Sequence, residues 1–330
     1  MADPSTARSA ARLLSGYLCG THSGLHTIGR LGAASAASVQ DAHRRVSSGN
    51  GSPKGAESTR LGEHRWEPSD DSAELRNALF STLPDDDEIE LVVFGSQARG
   101  ATTGFSDLDA ILVIPDRTAE DARSLRALRR NLLAAQRAVL AYQPMQHHGF
   151  EVVTPRLLDD AAAALALPAE AVSESRSLFG RPIEARFIEP RREDAGVFRE
   201  LASALARVDR WPNHPWKLHR LVAMFELAPT LYLQSTGRPT PKWLSFARAR
   251  EEFPSLWRPY DVLDELRRRW PRVRHRGLEF AMTVLRNPWD AVAGWRGLPA
   301  QTPPQAGEFL DARSLRELQA LIGTMLGRVP

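Results

Sequence analysis

The sequence predicts a small α/β domain with flanking helices, followed by an all-α domain and preceded by a disordered tail. Two apolar, branched runs, residues 91–94 and 110–114, stop at Gly95 and Pro115. Short apolar runs that end at glycine or proline are typical of buried strands. From Ala195 onward helical patterns follow one another with prolines in or between them, and no strand pattern remains, which predicts the all-α part.

The length and composition are typical of a globular protein with an ordinary hydrophobic core. The 330 residues allow about two domains, and 42% hydrophobic residues suffice for a normal core. The sequence has no apolar run of 18 residues, so we predict no membrane span. The single cysteine, Cys19, excludes an internal disulfide and a cysteine-based zinc site. We therefore expect a cytoplasmic protein.

The basic charge is concentrated near the start of the chain. Residues 1–60 carry seven Lys or Arg and three acids, whereas residues 61–330 carry 36 and 37. The folded body is therefore nearly neutral and lacks the basic footprint that long phosphate tracks require. This disfavours nucleic acid as a partner.

The first 68 residues are rich in Ser, Ala, Gly and Arg and show little apolar periodicity. Such a segment buries too little surface to offset its ordering entropy, so we expect a disordered tail over residues 1–68. Its acid-poor composition also resembles a transit peptide. We expect the α/β domain over residues 69–190 and the helical domain over 191–330, because residues 189–194 have the composition of a domain boundary.

Within the α/β part, Leu75, Leu79 and Leu83 at spacing four predict a helix over residues 71–83. Thr118 is the predicted cap of a long helix to residue 140, with an inward face of Leu125, Leu128, Leu132, Leu133 and Val139. The remaining predicted elements are a strand over 147–154, helices over 155–167 and 171–179, and a last strand over 183–188. The acidic run 85–88 is interpreted as a solvated turn, with a second metal site as the alternative.

The residues between the first two strands carry the chemistry. Gly95 permits a tight turn, and the backbone N–H groups that follow it open a short helix and favour an anion. Ser96 adds a hydroxyl. Asp107 and Asp109 are two apart at the head of the next strand, so both carboxylates project from one face. Adjacent carboxylates repel each other unless a hard divalent cation lies between them, which predicts magnesium together with a phosphate.

These residues resemble the signature of the DNA polymerase beta-like nucleotidyltransferase superfamily. The resemblance rests on Phe94-Gly95-Ser96, a ten-residue gap, and Asp107-Leu108-Asp109. It implies that the Gly-Ser turn holds the β- and γ-phosphates of a nucleoside triphosphate and that the aspartates hold two magnesium ions. Arg99 and Ser106 fall within the same motif and are further candidates for nucleotide binding. The alternative interpretation is a surface turn followed by an acidic strand start.

A third carboxylate on a neighbouring strand completes the metal site in the superfamily. Glu151 is the acid on the predicted strand 147–154, and it shares a face with His147. The resemblance therefore implies that Glu151 ligates metal and acts as the base. The alternatives are that Glu151 lies at a strand edge in water, or that a neighbouring histidine completes the site in its place.

The helical half resembles the kanamycin nucleotidyltransferase arrangement, in which helices wall the acceptor site, but no motif carries this likeness. Helices are predicted near residues 195–210, 215–235, 241–253, 259–270, 275–286 and 311–327. Seven of the eight tryptophans lie here, and we interpret them as core anchors rather than as stacking platforms. Lys242 stands at a helix start, where it either contacts a triphosphate or is solvated.

The sequence thus predicts a magnesium-dependent nucleotidyltransferase. The expected reaction moves a nucleoside monophosphate, AMP from ATP or the equivalent from another nucleoside triphosphate, to a hydroxyl of a small molecule or a protein, with release of pyrophosphate. The alternative is a regulatory or antitoxin-like nucleotide-binding module that has lost an effective third acid.

Overall fold

The computed structural model describes residues 4–19, 35–47, 57–68, 70–84, 88–146, 148–158, 174–187, 195–238, 240–271, 276–297 and 310–330. The described residues fall into two compact units, whose bounds along the chain are as follows. The first comprises Met1–Thr102, Ser106–Glu189 and Val273–Trp295, and the second comprises Thr103–Phe105, Pro190–Arg272 and Arg296–Pro330. The mixed α/β architecture with a helical C-terminal region confirms the predicted fold class, whereas the predicted domain boundaries stay a prediction.

A five-stranded sheet is the centre of the first unit. Its strands, in spatial order, are β2 (His64–Arg65), β6 (Arg176–Ser177), β3 (Glu90–Val93), β4 (Ala110–Val113) and β5 (Glu151–Val153). β3 and β4 are antiparallel, with Val93 opposite Ala110, and β4 and β5 are parallel. Every residue of β3 and β4 is buried. This explains their unbroken apolar runs, since a strand covered on both faces cannot alternate with polar residues.

Helices α3 (Asp70–Thr82) and α6 (Ala122–Tyr142) pack against each other in this unit. The inward face predicted for α6 is confirmed, because all five of its predicted residues are buried. The predicted cap is wrong: Thr118 lies inside a separate short helix, α5 (Asp116–Glu120), and Asp121 caps α6 by accepting a hydrogen bond from the Ser124 backbone N–H at 2.6 Å. Asp121 adopts extended backbone angles, which ends one helix and starts the next.

The prediction of a disordered tail is wrong for the described part of residues 1–68. This stretch contains α1 (Pro4–Cys19), α2 (Ala36–Ser47) and β1 (Glu57–Leu61). Leu14 and Leu18 of α1 are buried in the core of the first unit, and so is Trp66. Residues 62–68, which include β2, are also described, whereas residues 1–3, 20–34 and 48–56 lie outside the described part of the chain.

The edge of the sheet explains why α1 is ordered. The Val152 backbone N–H of β5 donates to Ser15 Oγ at 2.8 Å, and the Cys19 thiol donates to the Phe150 carbonyl at 3.5 Å. An edge strand exposes unpaired backbone groups, and covering them with a helix satisfies those groups. The apolar stripe of α1 packs into the core of the first unit and consists of Ala10, Ala11, Leu14 and Leu18. Composition alone missed this stripe because two of its residues are alanines.

α2 is anchored by a buried histidine. His43 Nε2 lies 3.1 Å from Asp116 Oδ1 and 3.2 Å from Thr154 Oγ1, and the His43 side chain is nearly inaccessible to solvent. These contacts attach α2 to the start of α5 and to the end of β5. A buried imidazole needs such partners because an unpaired polar group inside a core is costly.

Two further corrections concern strands. Residues 176–177, within the helix predicted over 171–179, form β6 between β2 and β3. The strand predicted over 183–188 exists as β7 (Ile183–Phe187), but it pairs with β1 in a separate two-stranded antiparallel sheet. Of the helix predicted over 155–167, residues 155–158 are helical. Residues 85–87 of the acidic run lie outside the described part, and Glu88 is paired with Arg117.

The second unit is helical, as predicted. Its helices are α7 (Ala195–Ala206), α8 (Pro215–Ser235), α9 (Lys242–Glu252), α10 (Arg258–Arg268) and α13 (Ala312–Leu326). Their apolar faces meet in one core that includes Trp257 and Trp270. Both rings are buried, in agreement with the interpretation of tryptophans as core anchors, whereas Trp243 is 43% exposed.

Helix α11 (Arg276–Val284) and most of α12 (Pro288–Gly297) belong to the first unit. The sequence predicted α11 but not α12. Arg137 of α6 attaches this segment, because its guanidinium donates to the backbone carbonyls of Met282 at 2.9 Å and Arg286 at 3.1 Å. Cations favour the carboxyl end of a helix, where carbonyl groups lack partners. In the described residues no helix has both the length and the apolarity to cross a membrane.

The packing of α1 can be tested with two leucines on the same helix. Leu18→Ala removes a fully buried side chain and should lower the free energy of unfolding by about 2–5 kcal/mol. Leu13→Ala is the matched control, because Leu13 is only partly buried against the same core and should cost clearly less. Urea denaturation measures both. Unchanged stability in both variants would show that α1 is not folded onto the core.

Candidate active site

The turn after β3 and the aspartate before β4 meet in the structure. The Phe94 backbone N–H donates to the Asp109 carbonyl at 2.9 Å, which continues the β3–β4 ladder by one step. Gly95 follows with φ +64°, and a Cβ added there would lie 2.8 Å from Asp109 Oδ2. Any other residue would be strained and would also displace this carboxylate. The glycine therefore allows the turn and the carboxylate to lie side by side.

One turn of helix, α4 (Gly95–Ala98), starts at this glycine. The first hydrogen bond of this helical turn runs from the Ala98 N–H to the Phe94 carbonyl, at 3.4 Å. The N–H groups of residues 95–97 precede it, and such groups are the ones that a helix leaves for other acceptors. Trp66 stabilises the turn, because its buried indole Nε1 donates a hydrogen bond to the Gln97 carbonyl at 3.1 Å.

Asp107, Asp109 and His148 form a cluster of potential metal ligands. Each offers one atom that lies within 4.8 Å of the other two. His148 Nε2 is 3.3 Å from Asp109 Oδ1 and 3.7 Å from Asp107 Oδ2. All three side chains are partly accessible, and Asp109 is half exposed. The cluster is therefore open to a ligand from solvent.

Electrostatics couple the imidazole to the two carboxylates. Burial alone would lower the pKa of His148, but its interactions with Asp107 and Asp109 outweigh burial and raise the pKa well above its usual range. A positive charge between the carboxylates relieves their mutual repulsion. Without a metal ion the two carboxylates therefore favour the protonated imidazole, whereas metal binding would require its neutral form.

Two buried glutamines hold the backbone of this segment. Gln146 Oε1 accepts a hydrogen bond from the Leu108 N–H at 2.9 Å, and its Nε2 donates to the Leu108 carbonyl at 3.0 Å. Gln143 Nε2 donates to the Ser106 carbonyl at 3.0 Å. Gln146 therefore pairs with Leu108 as a neighbouring strand would, at a position before β5 begins. Leu108 is the residue between the two aspartates, so these bonds hold the backbone from which both carboxylates extend.

The other residues that the sequence predicted for nucleotide binding have partners in their own units. Arg99, just after α4, forms an ion pair with Glu174 at 3.5 Å. Ser106 is buried. In the second unit the Lys242 ammonium lies 3.1 Å from Glu226, a carboxylate that is almost fully buried. A buried carboxylate needs a cation nearby, which gives Lys242 a structural role. The roles of Arg99, Ser106 and Lys242 in nucleotide binding stay predictions.

Glu151 is the first residue of β5 and is exposed. It lies opposite Ile111, two residues beyond Asp109 along β4. The ligand cluster found among the described residues does not include it. Its charge acts on Cys19, whose thiol pKa is raised to about 12, chiefly by burial and in smaller part by Glu151. The metal and base roles of Glu151 stay predictions, and His147 lies outside the described residues.

The donor set of the cluster fits a divalent metal ion. Two carboxylates and one imidazole are ligands that Mg²⁺, Mn²⁺ and Zn²⁺ sites use, although imidazole suits Mg²⁺ least. The absent Cβ of Gly95 leaves room beside Asp109 Oδ2. Asp107, Asp109 and His148 are therefore the described residues that would hold a metal at this site.

Comparison with protein families agrees with the geometry. Residues 73–145 match the Nucleotidyltransferase domain family. The matched stretch includes the Gly95 turn and both aspartates and ends before His148. Residues 73–145, less than a quarter of the chain, are thus similar to a nucleotidyltransferase domain, consistent with the DNA polymerase beta-like superfamily, and the predicted resemblance is confirmed. A comparison with curated proteins finds no match.

Sequence reasoning left open that a neighbouring histidine replaces Glu151, but it placed His148 on the opposite strand face, and it missed Gln146 and Trp66. The strand predicted over 147–154 assigned His148 to the face opposite Glu151, but the regular strand begins only at Glu151, so strict alternation does not apply to His148. Gln146 carried no signal, because its function depends on which backbone lies beside it. Trp66 was excluded with the tail.

The steric role of Gly95 can be separated from its backbone conformation. Gly95→Ala and Gly100→Ala both place alanine at positive φ, at +64° and +68°, and each should cost about 1–2 kcal/mol. Nothing lies within 4 Å of a Cβ at Gly100. Calorimetry should therefore find weakened divalent-metal binding in Gly95→Ala and unchanged binding in Gly100→Ala. Equal metal affinity in the two variants would contradict the proximity of Gly95 and Asp109.

Gln146 has a matched control in Gln136, since both side chains are buried. Gln146→Leu leaves the Leu108 N–H and carbonyl without their side-chain partner, at a cost of about 1–3 kcal/mol for each group. Gln136 has no hydrogen-bond partner for either amide atom among the described residues, so Gln136→Leu should be neutral or stabilising. Urea denaturation compares the two. Equal destabilisation would mean that side-chain volume, not hydrogen bonding, decides the result.

Proposed function

We propose that this protein is a metal-dependent nucleotidyltransferase that moves a nucleoside monophosphate, AMP from ATP, to a hydroxyl group of a small molecule or a protein and releases pyrophosphate. One observation carries this proposal. A Cβ added at Gly95 would lie only 2.8 Å from Asp109 Oδ2. The turn suited to phosphates and the paired carboxylates therefore form one site. The family match over residues 73–145 supports the same reaction class.

The backbone of α4 and the hydroxyl of Ser96 would bind the triphosphate. The N–H groups of residues 95–97 precede the first helical hydrogen bond, and several N–H groups in succession favour a phosphate oxygen. A β- or γ-phosphate held here lies beside Asp109. A metal bound by Asp107 and Asp109 would offset the charge of the phosphates and of the pentavalent transition state.

In the reaction, the oxygen of the acceptor hydroxyl forms a bond to the α-phosphorus. The bond from that phosphorus to the bridging oxygen breaks, and pyrophosphate leaves with the electron pair. The hydroxyl proton passes to a carboxylate. Asp109 is half exposed, so it is the aspartate of the cluster that an acceptor approaches most easily. The sequence assigned this proton to Glu151, which is also exposed.

One observation favours a second candidate function. The third member of the cluster is an imidazole and not a carboxylate, and a third carboxylate is what the superfamily resemblance implies for catalysis. A nucleotide-binding module of regulatory or antitoxin-like type would keep the turn and both aspartates without needing that acid. Such a module would bind ATP and transfer nothing.

Substitution of one aspartate tests the enzymatic proposal. Asp107→Asn keeps the shape of the side chain and removes one metal-binding charge. Transfer of α-phosphate-labelled ATP to a panel of hydroxyl acceptors should fall by about a hundredfold or more, because metal assistance contributes several kcal/mol to such reactions. Asp264→Asn is the matched control, since Asp264 forms an ion pair on the surface of α10 at 3.0 Å from Arg268.

The outcomes separate the two candidates. Transfer by wild type and by Asp264→Asn, together with loss in Asp107→Asn, supports the enzyme. Tight ATP binding by wild type without transfer to any protein, aminoglycoside or other hydroxyl acceptor supports the binding module. Undiminished transfer by Asp107→Asn would refute the role of the aspartate pair.

A further inference from the structure

We propose that His148 is the third metal ligand of this site and that, as a result, the site binds the transition-metal ion Mn²⁺ in preference to Mg²⁺. This inference deepens the proposed function, on which its biological meaning rests. It concerns metal selectivity, so it can be measured without nucleotide and without transfer.

The position of the imidazole is the first argument. His148 Nε2 faces both carboxylates, at 3.3 Å from Asp109 Oδ1 and 3.7 Å from Asp107 Oδ2. The three ligand atoms lie within 4.8 Å of one another. Metal–ligand distances are about 2 Å, so small side-chain shifts allow all three atoms to reach one ion.

The other ring nitrogen gives a second, independent argument. His148 Nδ1 lies 3.0 Å from the Gly149 carbonyl, and a carbonyl can only accept, so Nδ1 carries the hydrogen. Gln146 Nε2 is 3.4 Å from Nδ1, but it donates its two hydrogens to the carbonyls of Leu108 and His148, each at 3.0 Å. In the neutral ring the lone pair is therefore on Nε2. Metal-binding histidines are typically oriented in this way, by a hydrogen bond from the other ring nitrogen.

Gln146 connects the imidazole with the aspartates. One side chain binds the backbone of Leu108, between the two aspartates, and also the carbonyl of His148. The glutamine is buried, so its geometry is constrained by packing. The backbone segments that carry the three ligands are therefore held together before any metal binds, which favours a selective metal site.

The chemistry of the donor set decides the preferred ion. Mg²⁺ requires octahedral oxygen ligands and retains water, whereas imidazole suits first-row transition metals. A site of two carboxylates and one imidazole therefore loses more affinity for Mg²⁺ than for Mn²⁺ relative to a site of three carboxylates. Two protein carboxylates also leave coordination positions for phosphate oxygens.

The test uses the full-length protein without nucleotide. Calorimetry measures the affinities for Mn²⁺ and Mg²⁺, and pulsed electron paramagnetic resonance of bound Mn²⁺ detects a directly coordinated nitrogen. The variants are His148→Ala, His148→Asp, which restores a third carboxylate, and Glu151→Gln. His64→Ala is the matched control, because His64 is exposed on β2. Circular dichroism verifies that each variant is folded.

Wild type and His64→Ala should show the nitrogen signal. His148→Ala should lose it and bind Mn²⁺ at least about tenfold more weakly, because loss of even an indirect partner of a metal site typically costs about 10–100-fold. In His148→Asp the nitrogen signal should vanish, the protein should still bind metal, and the preference for Mn²⁺ over Mg²⁺ should fall. This last variant keeps the test informative if His148→Ala does not fold.

Three results would overturn the inference. They are bound Mn²⁺ in wild type without a nitrogen signal, an unchanged Mn²⁺ preference in His148→Asp, and loss of Mn²⁺ binding in Glu151→Gln with no loss in His148→Ala. None of them bears on transfer itself. Conversely, nitrogen-coordinated Mn²⁺ in a protein that transfers no nucleotide would leave this inference standing and refute the proposed reaction.

Discussion

The repulsion between two adjacent carboxylates is the constraint on which the site depends. Like charges about 4 Å apart repel by about 4 kcal/mol at the effective dielectric of a protein surface. Three features of the first unit hold Asp107 and Asp109 together in spite of this. The His148 imidazole lies 3.3 Å from Asp109 Oδ1, where its proton or a bound metal ion can offset the charge of the acids. Gly95 leaves the Asp109 carboxylate its space, and Gln146 holds the backbone of Leu108 between the two aspartates.

The N-terminal helix α1 stabilises the sheet edge next to this site. β5 is the edge strand of the sheet and follows directly after the segment that carries His148. Its outer backbone groups are bonded to Ser15, and the carbonyl of Phe150 accepts from Cys19. Burial raises the pKa of the Cys19 thiol to about 12, so the thiol stays protonated and acts as a donor to the strand rather than as a nucleophile. α1 thus closes a sheet edge next to the site.

The second unit shows why isolated basic residues are weak signals of phosphate binding. Lys242 is one of three lysines in the chain, which made it a candidate for contacting a triphosphate. Within its own unit it lies 3.1 Å from the buried Glu226, and Arg267 approaches the same carboxylate at 3.8 Å. Removal of a cation from a buried carboxylate is strongly destabilising. A helix start with a lysine looks the same in the sequence whether it meets a phosphate or a buried acid.

The sequence by itself determined β3, β4, the Gly95 turn and the aspartate pair, because these depend on local apolar runs, a glycine and a spacing of two residues. It also determined most helices of the second unit, whose periodicity is strong. Tertiary structure alone decided that α1 folds, since only an open sheet edge gives Ser15 and Cys19 their partners. It also decided that His148 joins the aspartates while Glu151 lies outside their cluster. The physical reason is that His148 precedes the regular strand, where the position of a side chain follows from the hydrogen bonds of Gln146 and not from strand alternation.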